Sequence, residues 1–169
     1  MGRHRHFLVR QSHLQQGTGA GMRPRVTGEA GVSLIRAFEG FSSVPYVCPA
    51  GFPTIGYGHV VQADERFEVS LSPEEGEALL RKDLPRYESA VCRLIDMPLG
   101  DLCFDALVSF TFNLGEGALA ASTLRRLVNA GRVIEVGPQF DRWVFAGACK
   151  LPGLVRRRAA ERALWERGL

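Results

Sequence analysis

The 169-residue sequence has no long apolar run. A membrane span needs about 20 consecutive apolar residues, and a secretory leader needs about 7–15 of them after a basic start. The apolar stretch nearest the beginning, Phe7-Leu8-Val9, is too short for either. We therefore expect neither a membrane anchor nor a leader in this sequence.

Cysteine is also scarce, and its spacing excludes the common zinc sites. No two cysteines are separated as C-x-x-C, so we expect no metal centre. The four cysteines are Cys48, Cys92, Cys103 and Cys149.

The net charge of +3 is unevenly distributed. Residues 1–26 hold five arginines and no acidic residue, so the rest of the chain carries more acidic than basic groups. Because residues 1–26 are also polar and rich in glycine, they are predicted to form a basic, disordered arm before one domain at 27–169. Two interpretations of this arm stay open: an extension upstream of a natural start at Met22, or an arm that binds an anionic surface.

Residues 28–40 have the periodicity of an amphipathic helix. Thr27 is the predicted N-cap, and Gly40 suits the C-terminal end because it tolerates positive φ. Glu39 then lies in the last turn, where the helix dipole disfavours an ionised carboxylate. That position favours the protonated form that a general acid needs. The apolar positions of this helix are Val32, Leu34, Ile35, Phe38 and Phe41.

The remaining pattern predicts an α+β fold that is mainly α. Residues 46–61 have the glycine, proline and aromatic content of a β-hairpin. Ser72 is predicted to cap a helix that reaches about Ile95 and is kinked at Pro85. We expect a small β-hairpin lobe beside a helical lobe, with the active site in the cleft between them. The further helices are predicted at 102–114, 122–130, 133–145 and 154–167.

The most specific feature is the stretch 39–59, EGFSSVPYVCPAGFPTIGYGH. A carboxyl, a thiol and a hydroxyl stand at Glu39, Cys48 and Thr54, at spacings of nine and six. This string resembles the catalytic signature of the phage-type lysozymes, glycoside hydrolase family 24. In that signature an acid is followed nine residues later by Asp or Cys, and six residues after that by Thr in a TIGYGH strand. The similarity extends over about 27–167 and includes FDALVSFTFNLGEG at 104–117.

The resemblance implies a lysozyme-like fold and a muramidase. Such an enzyme hydrolyses the β-1,4 bond between N-acetylmuramic acid and N-acetylglucosamine in bacterial peptidoglycan, without a cofactor or metal. Glu39 would be the general acid, Thr54 would orient water, and Cys48 would replace the commoner Asp. Without the surrounding stretch 39–59, Glu39 would be interpreted as a solvated surface residue and Cys48 as a buried apolar residue.

Four more residues are expected at the substrate: Tyr57, His59, Asn113 and Arg157. Three arginines follow one another at 156–158, and they cannot share one helix face. At least one should face solvent, and Arg157 is expected to reach Glu39 and fix its orientation. For His59 the alternative is a hydrogen-bonded structural residue beside the cleft.

Two other functions are compatible with the sequence. A lytic transglycosylase would give 1,6-anhydro products, and Cys48 in place of Asp keeps this alternative open. A non-catalytic peptidoglycan-binding domain is opposed by the presence of both Glu39 and Thr54. The resemblance implies a monomer whose partner is peptidoglycan, with no nucleic acid and no membrane anchor. It also implies synthesis in the host bacterial cytoplasm, release that depends on a separate holin, and action on the cell wall in the periplasm.

Overall fold

The computed structural model describes residues 25–48 and 51–169. The predicted arm, with both interpretations of it, lies outside these ranges except for Arg25 and Val26. Arg25 donates a 3.0 Å hydrogen bond to Asp101, and its guanidinium lies 4.4 Å from the centroid of the Phe104 ring. Arg25 precedes the predicted domain boundary at residue 27 and still contacts α-helical residues of the domain. Within the described ranges, none of the helices combines the length and the apolar character that crossing a membrane requires.

Helix α1, Glu29–Glu39, confirms the predicted helix. Gly40 follows it with φ 72°, a conformation that favours glycine. The predicted cap is wrong, because the N-cap is Gly28 and the Thr27 hydroxyl donates instead to Glu88, at 2.7 Å.

The β lobe is a three-stranded antiparallel sheet in the order β1-β2-β3. Its strands are β1, Ser42–Val47; β2, Pro53–Gly56; and β3, His59–Val60. Tyr46 pairs with Thr54, and Val47 pairs with Pro53. The predicted hairpin is confirmed, although β1 begins at Ser42, before the predicted boundary at residue 46. Pro49 and Ala50, which follow β1 within the predicted hairpin, lie outside the described residues.

Helix α2, Pro73–Leu94, begins at a complete capping box. The Ser72 hydroxyl accepts from the Glu75 backbone N–H at 3.2 Å, and the Glu75 carboxylate accepts from the Ser72 N–H at 2.8 Å. The helix continues through Pro85 as one element and is capped at Ile95. Both predicted ends are confirmed.

Helix α3, Asp101–Leu114, lies at the centre of the helical lobe. Nine consecutive residues, 103–111, are buried, and α3 packs against α1, α2 and helix α7, Pro152–Arg167. The core cluster around it includes Ile35, Leu80, Phe110 and Trp165. Helices α5, Thr123–Asn129, and α7, Pro152–Arg167, confirm two more predictions.

The helix predicted over 133–145 is wrong. A 3-10 turn, Val133–Glu135, is followed by the short helix α6, Gly137–Phe140. Pro138 lacks the backbone N–H that a continuous helix would use, so a new helix begins there. Strands β4, Phe145–Ala146, and β5, Cys149–Lys150, then form a small hairpin. Helix α4, Glu116–Ala121, was not predicted either.

Candidate active site

The Glu39 carboxylate lies where three elements meet. Its Oε1 accepts a hydrogen bond of 2.5 Å from Arg157 Nη1 of α7. The turn between β2 and β3 approaches the second carboxylate oxygen, since a Cβ built on Gly58 would lie 3.7 Å from Glu39 Oε2. Gly58 has φ 92°, so glycine is favoured there by its backbone as well. The Glu39 side chain is 22% exposed, which leaves it accessible to a ligand.

Arg157 holds this carboxylate from a buried position. Its side chain is 4% exposed, and it also donates to Glu161 at 3.2 Å and to the Ser109 carbonyl at 3.4 Å. The neighbouring Arg156 is exposed, as the sequence predicted for at least one of the three arginines. The predicted contact between Arg157 and Glu39 is confirmed, whereas a contact between Arg157 and substrate stays a prediction.

Cys48 and Thr54 are joined through one backbone oxygen of the β lobe. The carbonyl of Phe52 accepts from the Cys48 backbone N–H at 3.0 Å and from the Thr54 hydroxyl at 3.0 Å. Thr54 is buried in β2, and Cys48 is half-buried just after β1. With its proton directed at Phe52, the Thr54 oxygen keeps lone pairs that can accept a hydrogen bond from water.

Tyr57 attaches the β lobe to α1. It is buried, and its ring lies 5.2 Å from that of Phe41 and 5.1 Å from the guanidinium of Arg36. These contacts fix the β2–β3 turn that carries Gly58. Direct contact between Tyr57 and substrate stays a prediction.

His59 is buried between two carboxylates. Its Nδ1 lies 2.9 Å from Asp83 Oδ2, and its Nε2 lies 2.7 Å from Glu65 Oε2. Burial lowers the pKa of His59, but the hydrogen bonds to Glu65 and Asp83 raise it, and the net direction is upward. A backbone hydrogen bond from Gln62, together with the bond to His59, lowers the pKa of Glu65 to about 2.

Both ring nitrogens of His59 are therefore engaged within the protein, and the ring ties β3 to α2 and to the loop that carries Glu65. This geometry supports the structural alternative for His59 rather than a substrate contact.

Asn113 lies half-buried in the last turn of α3. Its Oδ1 accepts a 2.8 Å hydrogen bond from Arg158 Nη2 of α7. Its predicted contact with substrate stays a prediction. Among residues 25–48 and 51–169, no group of three or more histidine, cysteine or acidic side chains is arranged to hold a metal ion.

The sequence did not reveal how the N-terminus of α1 is anchored. Asp105 of α3 accepts from the backbone N–H groups of Gly28 and Gly31, at 2.8 and 3.0 Å. It therefore supplies from another helix the acceptor that an N-cap side chain normally provides. The signal for this role is a carboxylate inside the apolar stretch of α3. Burial raises the pKa of Asp105, and the two backbone hydrogen bonds oppose that effect.

Comparison with known proteins shows the family to which the chain is similar. Residues 36–161 match the family model described as phage lysozyme. The endolysin of Bacillus phage B103 is 39% identical over 142 residues, which cover 83% of this chain and 54% of that protein. The endolysin of Acyrthosiphon pisum secondary endosymbiont phage 1 is 35% identical over 142 residues, which cover 82% of this chain and 96% of that protein.

A solved structure is also similar to this chain. The muramidase domain of SpmX from Asticaccaulis excentricus superimposes with a TM-score of 0.75 at 41% identity, covering 83% of this chain and 98% of that one. The chain thus spans about half the length of the Bacillus phage relative and nearly all of the other two proteins. The fold is that of the lysozymes, and the chain belongs to the phage lysozyme family.

Proposed function

We propose that this chain is a muramidase, a glycoside hydrolase that cleaves the β-1,4 bond between N-acetylmuramic acid and N-acetylglucosamine in bacterial peptidoglycan. The observation that carries the proposal is the placement of Glu39: a partly exposed carboxylate at the junction of α1, α7 and the β2–β3 turn. The names of the relatives, endolysin and muramidase domain, support the same substrate.

Hydrolysis of a glycosidic bond needs an acid for the leaving oxygen and a second group at the anomeric carbon. Protonated Glu39 donates its proton to the glycosidic oxygen as the bond to the anomeric carbon breaks, and Arg157 keeps the carboxyl in place. The Thr54 hydroxyl orients the water whose oxygen bonds to that carbon. Cys48, as a thiolate, either accepts the proton of this water or stabilises the positive charge that develops.

The decisive experiment compares Glu39→Gln with Glu29→Gln on purified peptidoglycan. Both changes replace a glutamate of α1, but the Glu29 side chain is 80% exposed and bound to Arg81. Loss of the general acid should lower the rate at least ~10²-fold in Glu39→Gln, whereas Glu29→Gln should keep its activity.

Mass spectrometry of the products should show reducing sugars. Equal activity of Glu39→Gln and the wild type would refute the proposal, and 1,6-anhydro ends would assign a transglycosylase instead.

We further propose that the enzyme acts as a monomer in the periplasm after a separate holin has let it leave the host cytoplasm. The family resemblance supports this route. Coexpression with and without a holin should show lysis only in its presence, and light scattering should give the mass of one chain. Lysis without a holin would refute this part.

A further inference from the structure

Glu161 is a completely buried carboxylate between two arginines of α7. Its side chain and that of Arg158 are both 0% exposed. Glu161 Oε1 accepts from Arg157 Nε at 3.2 Å, from Arg158 Nη2 at 3.1 Å and from the Ser109 hydroxyl at 2.8 Å. Its Oε2 lies 3.0 Å from Arg158 Nε. The proposed mechanism makes no use of this carboxylate.

Arg157 connects this buried group to the active site. One guanidinium binds two carboxylates, Glu39 at 2.5 Å and Glu161 at 3.2 Å. The four side chains Glu39, Arg157, Arg158 and Glu161 therefore form a continuous cluster of two guanidinium groups and two carboxyl groups. Glu39 is the member that is open to solvent, since its side chain is 22% exposed.

The balance of charge in this cluster bears on Glu39. Burial raises the pKa of Glu161 and lowers that of Arg158 to about 10, while the attraction between them opposes both effects. If Glu161 lost its charge, two buried guanidiniums would face the single carboxylate of Glu39. Uncompensated positive charge nearby favours the ionised carboxylate, and an ionised Glu39 has no proton to donate.

Among the described residues, α2 brings one acidic and one basic side chain, Asp83 and Arg86, to Tyr87, and these two charges balance each other. Tyr87 itself interacts electrostatically with Glu39, and it is a neutral phenol near neutral pH. The β2–β3 turn brings Gly58 close, which has no side chain. The acidic charge that offsets the two arginines is thus supplied by Glu161.

We propose that Glu161 is a positioning residue for the reaction, whose carboxylate shares Arg157 with Glu39 and balances Arg158, so that Glu39 can hold the proton it donates. This inference rests on the proposed function of Glu39 as the general acid. The role is one of charge as well as geometry, so it predicts a change in pH dependence that mere loss of packing would not produce.

Three variants test the proposal through opposite effects. Glu161→Gln removes an anion and should move the alkaline limb of the pH–activity profile to lower pH by about 1–3 units, the usual effect of one nearby charge. Arg158→Gln removes a cation and should move it to higher pH. The double variant restores the balance and should return the limb towards that of the wild type. In Glu161→Gln, kcat at neutral pH should fall at least tenfold with KM less affected.

A second measurement does not depend on catalysis. The ¹³C titration of the Glu39 carboxyl, assigned by comparison with Glu39→Gln, should shift in the same directions in the three variants. If the wild type proves inactive on peptidoglycan, the proposed function fails, and this titration still decides whether Glu161 sets the charge state of Glu39.

The proposal would be overturned if neither the alkaline limb of the pH–activity profile nor the ¹³C titration of Glu39 shifts in Glu161→Gln and Arg158→Gln. A double variant that is shifted further than either single variant would also overturn it. If Glu161→Gln does not fold, the upward shift in Arg158→Gln and its reversal in the double variant decide the question.

Discussion

The buried His59 cluster should make the stability of this lysozyme dependent on pH, and replacing His59 with Gln should reveal how much. The ring bridges Asp83 of α2 and Glu65 of the loop after β3, at 2.9 and 2.7 Å. It is 4% exposed, while the two carboxylates are 19% and 17% exposed. One substitution therefore removes both of these hydrogen bonds.

The magnitude follows from the two hydrogen bonds. A hydrogen bond to a charged group contributes about 1.5–3 kcal/mol. We take the lower end for each, because both carboxylates retain some contact with water. His59→Gln should then lower the free energy of unfolding by about 3 kcal/mol when His59 is charged. For a protein of this size that corresponds to about 6–12 °C in Tm.

The pH dependence has a definite sign. The folded state raises the pKa of His59, so its contribution is complete below the ordinary value of 6.5 and is lost as the pH rises through the raised pKa. The pKa of Glu65 is lowered to about 2 from 4.5, so its contribution is present above 4.5. The difference between wild type and His59→Gln should therefore be largest between about pH 5 and 6. At pH 9 it should fall to about 1.5 kcal/mol, the contribution of one such bond, because a neutral ring donates only one hydrogen bond.

Urea unfolding of both proteins at pH 5.5 and pH 9 measures this difference. Lys82→Gln is the matched control, because Lys82 contacts the same Glu65 at 3.3 Å but is 69% exposed. That exposed pair should contribute less than about 1 kcal/mol at either pH. A loss of stability in His59→Gln that is the same at both pH values would refute the reasoning.

Two further predictions concern the Cys48 thiol and the anchor of α1. Cys48→Ala should lose most of the activity on peptidoglycan while Cys48→Asp keeps much of it, because a carboxylate can replace the thiolate as base or charge stabiliser. Full activity of Cys48→Ala would instead make Cys48 a packing residue. Asp105→Ala should lower the free energy of unfolding by about 2 kcal/mol, since the buried N–H of Gly31 would lose its acceptor. An unchanged urea midpoint would contradict the capping role of Asp105.

The sequence by itself determined the local elements and the candidate catalytic set. Helical periodicity and Gly40 placed Glu39 at the end of α1, and the Ser72 capping box placed the start of α2, because such signals act within a few residues. The stretch 39–59, which contains Glu39, Cys48 and Thr54, pointed to a lysozyme through its resemblance to the family signature. The interruption at Pro138 could also have been found in the sequence, since proline cannot donate the bond that a continuous helix over 133–145 would need.

Only the tertiary structure decided which distant groups surround these residues. Asp105 reaches the N-terminus of α1 across more than 70 positions, and Ser109 of α3 donates to Glu161 of α7 across 52. Local patterns carry no information about such distances, because they depend on how α1, α3 and α7 pack. Packing also buried His59 between two carboxylates and Glu161 between two arginines, where each ionised group needs a partner of opposite charge.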